Sequence, residues 1–225
     1  MAEVTCWTLI EGAALGDGAA RTEFATRYLP VVRAYLRARW KDRLSEDALE
    51  DAVQEVFLEC LKGDGVLERA GAGPRTSFRA FLLGAVRNIA KRAEVDLARR
   101  IDLPGSVTFD GEKLELEEAT LTRVFDRAWA ASVLREAAAR QAENARANGP
   151  ESVRRVELLR LVFEEDRGLA DIARQWDVDR NVLYREYTRA HDEFLRALKD
   201  VVTFHHPNAP EAVVRECREL YALFS

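Results

Sequence analysis

The side chains best suited to chemistry in this 225-residue chain are cations and hydrogen-bond donors grouped in two stretches. In the first stretch they lie on the polar side of an apolar helical pattern: Arg79, Arg87, Asn88, Lys91 and Arg92. Arginine and lysine in such an arrangement neutralise phosphates, and asparagine can hydrogen-bond a base. This stretch therefore predicts contact with nucleic acid, and the alternative interpretation is an ordinary solvated basic face.

The second stretch, residues 168–190, has the apolar spacing of two helices joined by a tight turn. Ile172 and Trp176 are spaced i, i+4, Val178 fills the turn, and Asp179 is placed to cap the second helix. This is the spacing of a helix-turn-helix, whose second helix enters the major groove. The outward residues of that helix would be Arg180, Asn181, Tyr184, Arg185 and Thr188. A purely structural helical hairpin is the alternative.

A third stretch has the opposite charge. Residues 44–59 contain six acids and no base, whereas residues 75–100 contain seven bases against two acids. In the acidic helix the apolar residues Val53, Val56 and Phe57 are predicted to face inward. Another side combines acids with an amide and a leucine: Asp51, Gln54, Glu55 and Leu58. That mixture suits a protein interface better than a nucleic-acid interface, so the two helices predict two different partners.

The remaining composition argues against catalysis. The three cysteines are far apart, the pair His205–His206 has no metal-ligand spacing with Cys217, and no glycine-rich phosphate loop is present. We therefore expect no enzyme activity, no catalytic residue, no cofactor and no metal site. No apolar run approaches the ~20 residues of a membrane span, and the N-terminal residues lack the pattern of a signal peptide. The expectation is a cytoplasmic protein without a membrane partner or disulfides.

Helical periodicity is widespread and strand signals are nearly absent, which predicts an all-α fold. We expect two small helical domains joined by a linker, the second containing the helix-turn-helix, and an additional C-terminal helix. The predicted ranges are 1–100 for the first domain, 101–116 for the linker, 117–200 for the second domain and 201–225 for the extension. Among the helix ends, Thr8 with Glu11 predicts a capping box for the first helix, and Asp17 predicts the N-cap of the second.

The C-terminal extension carries an apolar stripe that must be buried somewhere. Its members are Val213, Val214, Cys217, Leu220, Tyr221 and Phe224. Two interpretations stay open. In the first, the helix completes the core of the second domain. In the second, it packs against the first domain or against the second helix of the helix-turn-helix (the reading helix), and it regulates the access of DNA to these surfaces.

The three stretches, in this order, resemble an extracytoplasmic-function (ECF) sigma factor of bacterial RNA polymerase. The resemblance covers about residues 22–200 and rests on three motifs: EDAVQEVF at 50–57, FRAFLLGAVRN at 78–88, and the IA…V spacing that begins at Ile172. The first two motifs together are fairly specific, whereas the third occurs in many regulators. Phe81 stands where the family usually has tryptophan, and Asp177 stands where glycine is usual. Glu186 adds an acid to the predicted reading helix.

The resemblance implies a function and its partners. It implies that Asp51, Gln54, Glu55, Phe57 and Leu58 bind core RNA polymerase. It implies that the basic set of the first stretch contacts the minus-ten region of promoter DNA, while the loop at 63–76 receives a flipped base. The residues facing the minus-35 duplex would be Arg180, Asn181, Tyr184, Arg185 and Arg189. An anti-sigma factor or another regulator is a further partner of the kind that such proteins have.

Two rival interpretations remain. One is a stand-alone helix-turn-helix regulator that binds DNA without polymerase. The other is a degenerate sigma-like adaptor that binds proteins but no longer reads DNA. The acidic helix favours a sigma factor or an adaptor over the stand-alone regulator, and the donors at 180–185 favour the sigma factor over the adaptor.

Overall fold

A computed structural model of the chain describes residues 5–40, 46–61, 78–100 and 111–221, with side chains except those at 59–61, 96–100, 111–117 and 221. Every regular element in these ranges is an α-helix, which confirms the predicted all-α class. The predicted base-binding loop at 63–76 lies outside the described residues. The same holds for residues 101–110 of the predicted linker.

The described helices, in chain order, are α1 (Cys6–Ala14), α2 (Gly18–Trp40), α3 (Glu46–Leu61), α4 (Phe78–Arg100), α5 (Gly111–Asn148), α6 (Pro150–Phe163), α7 (Leu169–Gln175), α8 (Arg180–His205) and α9 (Pro210–Tyr221). α5 begins inside the range that was predicted as linker. α8 continues past the boundary predicted at residue 200, because no glycine or proline interrupts it before His205.

The helices belong to two compact units. Unit 1 comprises Met1–Ser132 together with Phe204–Pro207, and unit 2 comprises Val133–Thr203 together with Asn208–Ser225. The divisions fall within α5 and near the end of α8, at positions that differ from the sequence-based ranges. The units therefore follow contacts in space, whereas those ranges followed the motifs along the chain.

Side chains cap the first two helices. The Thr8 backbone N–H donates to the Thr5 hydroxyl at 3.3 Å, and the Thr5 N–H donates to the Thr8 hydroxyl at 2.8 Å. The predicted box of Thr8 with Glu11 is therefore wrong, because the helix begins three residues earlier than expected. The prediction for α2 is confirmed, since the Asp17 carboxylate accepts from the N–H of Ala19 at 2.8 Å.

The core of unit 1 is built around α2, whose buried apolar stripe is Phe24, Tyr28, Val31, Val32, Tyr35, Leu36 and Trp40. Val53 and Val56 of α3 and Leu82 and Ile89 of α4 are buried in the same unit. The stripe has i, i+3, i+4 spacing, so it forms one continuous face along α2. Because α3 and α4 bury their own apolar residues in the same core, the opposite sides of these two helices face outward.

His205, at the end of α8, completes the core of unit 1. The residue is 5% exposed, and its Nε2 lies 3.1 Å from the Tyr28 hydroxyl. The indole ring of Trp129 lies 4.9 Å away, centroid to centroid, and the Cys6 thiol donates to the His205 carbonyl at 3.8 Å. His205 is therefore a buried core residue with a hydrogen-bond partner.

Unit 2 has its own apolar cluster, formed by Leu158, Leu161, Ile172, Ala173 and Leu183. Trp176, Val178 and Tyr187 pack against this cluster. These contacts confirm the apolar side predicted from Ile172 and Trp176 and the predicted place of Val178 in the turn. The small side chain of Ala173 is 5% exposed within the cluster.

The last helix, α9, belongs to unit 2. Val213 and Leu220 are buried, as predicted, whereas Val214 is 55% exposed. Placing Val214 on the buried face was therefore wrong, because the stripe through Val213 and Leu220 turns it toward solvent. Phe224 lies outside the described residues, as does the side chain of Tyr221. Assignment to unit 2 agrees with the interpretation that this helix completes the second core.

Candidate functional site

The exposed side of α3 combines acids with an amide and an apolar side chain. Asp51, Gln54 and Glu55 are exposed, and Leu58 is 63% exposed. Val53 and Val56 are buried beneath them, so the helix cannot rotate without exposing its core face. An exposed leucine among acids is suited to a protein partner that offers both apolar and basic groups.

Phe57 does not belong to that exposed side. Its ring is half-buried and lies 5.6 Å from the ring of Phe24, edge to face. The position follows from helical geometry, because Phe57 is four residues after the buried Val53. The predicted inward position of Phe57 is therefore confirmed, and its contact with Phe24 holds α3 on α2, whereas its role in docking stays a prediction.

The predicted basic set of α4 is divided between two environments. Asn88, Lys91 and Arg92 are exposed, whereas Arg79 and Arg87 are half-buried against α5. Arg79 Nη2 lies 2.7 Å from Asp126 Oδ1. The five side chains are therefore not equally exposed, because α5 supplies carboxylates to two of them. Their contact with the minus-ten region stays a prediction.

Arg87 is held by a second pair of α5 residues. Its Nη2 donates to the Thr122 hydroxyl at 2.5 Å, and its Nε lies 3.1 Å from Glu118 Oε2. The Nε–H is buried and makes no hydrogen bond, so the contact with Glu118 is ionic. The Arg87 side chain is therefore committed to the protein in this state.

The same acid, Glu118, also binds a buried arginine of α2. Arg39 donates to Glu118 Oε1 at 2.7 Å and to both carboxylate oxygens of Glu94 at 2.7 and 3.0 Å. Burial alone would lower the pKa of Arg39, but its hydrogen bonds to the carboxylates of Glu94 and Glu118 raise that pKa above its ordinary value. The indole N–H of Trp40 donates to Glu94 at 2.9 Å. This network fixes Glu118 beside Arg87.

This network was not predictable from sequence motifs, because its members lie on three separate helices, α2, α4 and α5. The only available signals were the acids Glu94 and Glu118 within otherwise ordinary helical stretches. Neither has a neighbour in sequence that marks it as a partner of Arg39.

In unit 2, the turn between α7 and α8 has the geometry that its residues predicted. Asp177 has a φ of +50°, in the left-handed region that glycine usually occupies and that aspartate tolerates. The Asp179 carboxylate accepts from the N–H of Asn181 at 2.8 Å and of Val182 at 3.2 Å, which confirms it as the cap of α8. The turn therefore ends with the first residues of α8 facing outward.

The outward side of α8 presents the predicted donors: Arg180, Asn181, Tyr184, Arg185, Thr188 and Arg189 are all exposed. The guanidinium of Arg180 lies 5.6 Å from the centroid of the Tyr184 ring. Arg189 is engaged locally, since its Nη1 donates to Glu186 at 2.7 Å. Cations, an amide and a phenol side by side are the groups that proteins use to contact phosphates and base edges.

Arg155 of α6 is a residue that the sequence reasoning missed. Its guanidinium donates to Glu193 at 2.7 Å, to Glu186 at 3.1 Å and to the Ser152 hydroxyl at 2.7 Å. Glu186 is thus bound by Arg155 from one side and by Arg189 from the other. The negative charge of Glu186 is therefore balanced by two arginines. No acid lies among the donors at 180–185. An arginine three residues after a serine was no clue to this role.

Comparison with protein-family models, curated proteins and solved structures gives no match to this chain. None of the described helices combines the length and apolar character needed to cross a bilayer. Among the described residues, no group of three or more histidine, cysteine, aspartate or glutamate side chains could hold a metal ion. The interpretation of the candidate interfaces therefore depends on their own chemistry.

Proposed function

We propose that this protein is a transcription-initiation factor of the sigma type. It binds core RNA polymerase through the exposed side of α3 and directs the enzyme to promoter DNA. In this proposal the exposed residues of α4 contact the minus-ten region, and the outward side of α8 contacts the minus-35 duplex. The chain itself performs no covalent chemistry.

One observation carries the proposal: a single chain presents two exposed surfaces of unlike chemistry. The side of α3 that contains Leu58 and Gln54 is acidic and partly apolar, which suits a protein partner. The start of α8 presents Arg180, Asn181 and Arg185 after a rigid, capped turn, which suits a duplex. A factor that carries an enzyme to DNA requires both surfaces.

A sigma-like adaptor that binds polymerase without reading DNA is the second candidate. The pairing of Arg79 with Asp126 and of Arg87 with Glu118 favours it, because two cations of α4 already have anionic partners. Weak binding through α4 and α8 could still direct the enzyme, since tethering to polymerase raises the effective concentration of DNA contacts.

The deciding experiment is multi-round transcription with purified core RNA polymerase and genomic DNA fragments. A sigma factor gives specific initiation that depends on this protein. An adaptor co-purifies with polymerase but gives no specific start sites. A stand-alone regulator binds DNA fragments in the absence of polymerase and fails to bind the enzyme. Failure to bind polymerase at low salt rules out both the sigma factor and the adaptor.

Paired variants assign the two surfaces. Asn88→Ala with Lys91→Ala removes exposed α4 groups, so we expect open-complex formation to fall about threefold to tenfold while polymerase binding is unchanged. Asp51→Ala with Gln54→Ala should instead weaken binding to polymerase, and each pair of substitutions is the control for the other. Arg87 is unsuitable for this test, because removing it also breaks its contacts with Thr122 and Glu118. Equal losses in both assays would contradict the assignment.

A further inference from the structure

One side of α5 within unit 1 carries oxygen-bearing side chains directed at α4. Glu118, Thr122 and Asp126 are spaced i, i+4, i+8, so they share a face of the helix. We call these three residues the acidic strip. All the contacts described for them lie within unit 1.

The acidic strip is fixed to unit 1 by an adjacent apolar stripe. Leu121, Phe125 and Trp129 are 7%, 0% and 2% exposed. The Phe125 ring lies 6.4 Å from the Tyr35 ring, and the Trp129 ring stacks 6.0 Å from the Tyr28 ring. The carboxylates are therefore held beside α4 by burial of large aromatic side chains, and their position does not depend on the ion pairs alone.

The strip occupies arginines that phosphates would otherwise bind. Asp126 pairs with Arg79 at 2.7 Å, and Glu118 lies 3.1 Å from Arg87. The two acids are eight residues apart, about 12 Å along the helix, which is the span of roughly three or four phosphates of one DNA strand. Carboxylates and phosphates compete for the same guanidinium donors, so only one anion can occupy each arginine fully.

We propose that the acidic strip is an internal competitor of nucleic acid, which keeps the basic face of α4 closed in the free protein. Opening that face requires Arg79 and Arg87 to exchange Asp126 and Glu118 for phosphates. The inference rests on the proposed function, because it explains how a DNA-contacting factor avoids binding DNA before it meets polymerase. It adds a regulatory element to α5, a helix that none of the motifs includes.

The test measures binding of fluorescein-labelled single-stranded and duplex DNA to the full chain by fluorescence anisotropy, at two salt concentrations. Glu118→Gln with Asp126→Asn removes both charges but keeps the side-chain shape and one acceptor oxygen on each residue. We expect binding about fivefold to thirtyfold tighter than that of the unmodified chain. The salt dependence should also become steeper, because more phosphates would be neutralised by freed arginines.

The matched control is Glu11→Gln with Asp47→Asn, which removes the same number of charges from exposed positions of α1 and α3. Equal gains in the two double variants would mean that net charge alone acts, and the proposal would be overturned. Adding Arg79→Ala to the tighter variant should reverse part of the gain. If that addition leaves DNA affinity unchanged, the gain does not come from release of Arg79 from Asp126.

Folding is monitored by circular dichroism, because Glu118 also binds the buried Arg39. If the double variant melts at a lower temperature than the unmodified chain, the single variant Asp126→Asn provides the test. The side chains of Arg79 and Asp126 are 31% and 37% exposed, so their ion pair contributes less to folding than the contacts of Glu118. Unchanged DNA binding in a folded variant that still associates with core polymerase refutes the acidic strip and leaves the proposed function intact. Tighter DNA binding in a chain that never associates with polymerase supports the acidic strip and refutes the proposed function.

Discussion

His191 is a titratable residue whose environment disfavours its charge. It lies on α8 with its ring 4.6 Å from the Tyr187 ring and 5.6 Å from the Phe163 ring. Burial lowers the pKa of His191, and the neighbouring Asp192 offsets part of that effect. The folded chain therefore prefers the neutral imidazole, whereas the unfolded chain protonates at the ordinary pKa of about 6.5.

The sign of the resulting pH dependence follows directly. Between the folded and unfolded pKa values the unfolded chain binds more protons, so His191 contributes stability above about pH 6.5 and loses it as the pH falls further. We expect the urea midpoint of unfolding to fall more between about pH 7.5 and pH 5.5 in the unmodified chain than in His191→Asn. His206→Asn is the control. Parallel midpoints for His191→Asn and the unmodified chain would contradict the prediction.

Arg155 shows how one residue joins two elements. It lies on α6, its carboxylate partners lie on α8, and its side chain is only 13% exposed. Hydrogen bonding to Glu193, followed by that to Glu186, raises the pKa of Arg155 despite the cost of burial. A charged arginine bonded to both acids thus supports the orientation in which α8 presents its donors.

Replacing Arg155 by leucine leaves Glu186 and Glu193 partly buried without their shared cation. We expect the free energy of unfolding to fall by about 1–3 kcal/mol, as measured by urea denaturation. Arg189→Ala removes an exposed contact of the same Glu186, so its cost should stay below about 1 kcal/mol. If the two substitutions cost the same, the pairing of α6 with α8 through Arg155 contributes no more than a surface ion pair.

At the same scale, helical periodicity predicted which faces are buried but not which helices pair through charge. The stripe of α2 and the inward residues of α7 were predictable, because apolar spacing within one helix fixes its buried side. The contacts of Arg79 and Arg87 were not, since their partners on α5 are tens of residues away. The polar first turns of α5 also have no apolar stripe, so they were interpreted as linker.

On the scale of the whole molecule, unit 1 is assembled from two distant parts of the chain. The Tyr28 hydroxyl and His205 Nε2, 177 residues apart, form a buried hydrogen bond. The cation of Arg27 lies 4.5 Å from the centroid of the neighbouring Phe204 ring. Motif order along the chain could not predict this, because nothing in the sequence near His205 indicates a contact with α2.

This arrangement predicts a long-range effect of a single substitution. His205→Ala removes a buried ring and leaves the Tyr28 hydroxyl without that partner, so unfolding should become easier by about 2–4 kcal/mol. Thermal melting of the full chain measures the effect, and His206→Ala is the matched control from the less buried neighbouring position. A melting temperature for His205→Ala equal to that of the control would show that the core of unit 1 does not need the imidazole.

The position of His205 also has a consequence during synthesis. A ribosome releases residues 1–132 long before it has made Phe204–Pro207, yet all of them belong to one compact unit. The nascent chain must therefore hold an incomplete aromatic core, in which Tyr28 and Trp129 lack the imidazole, until His205 has been synthesised. Unit 1 is therefore begun first but cannot close its aromatic core until nearly all of unit 2 up to Thr203 has been made.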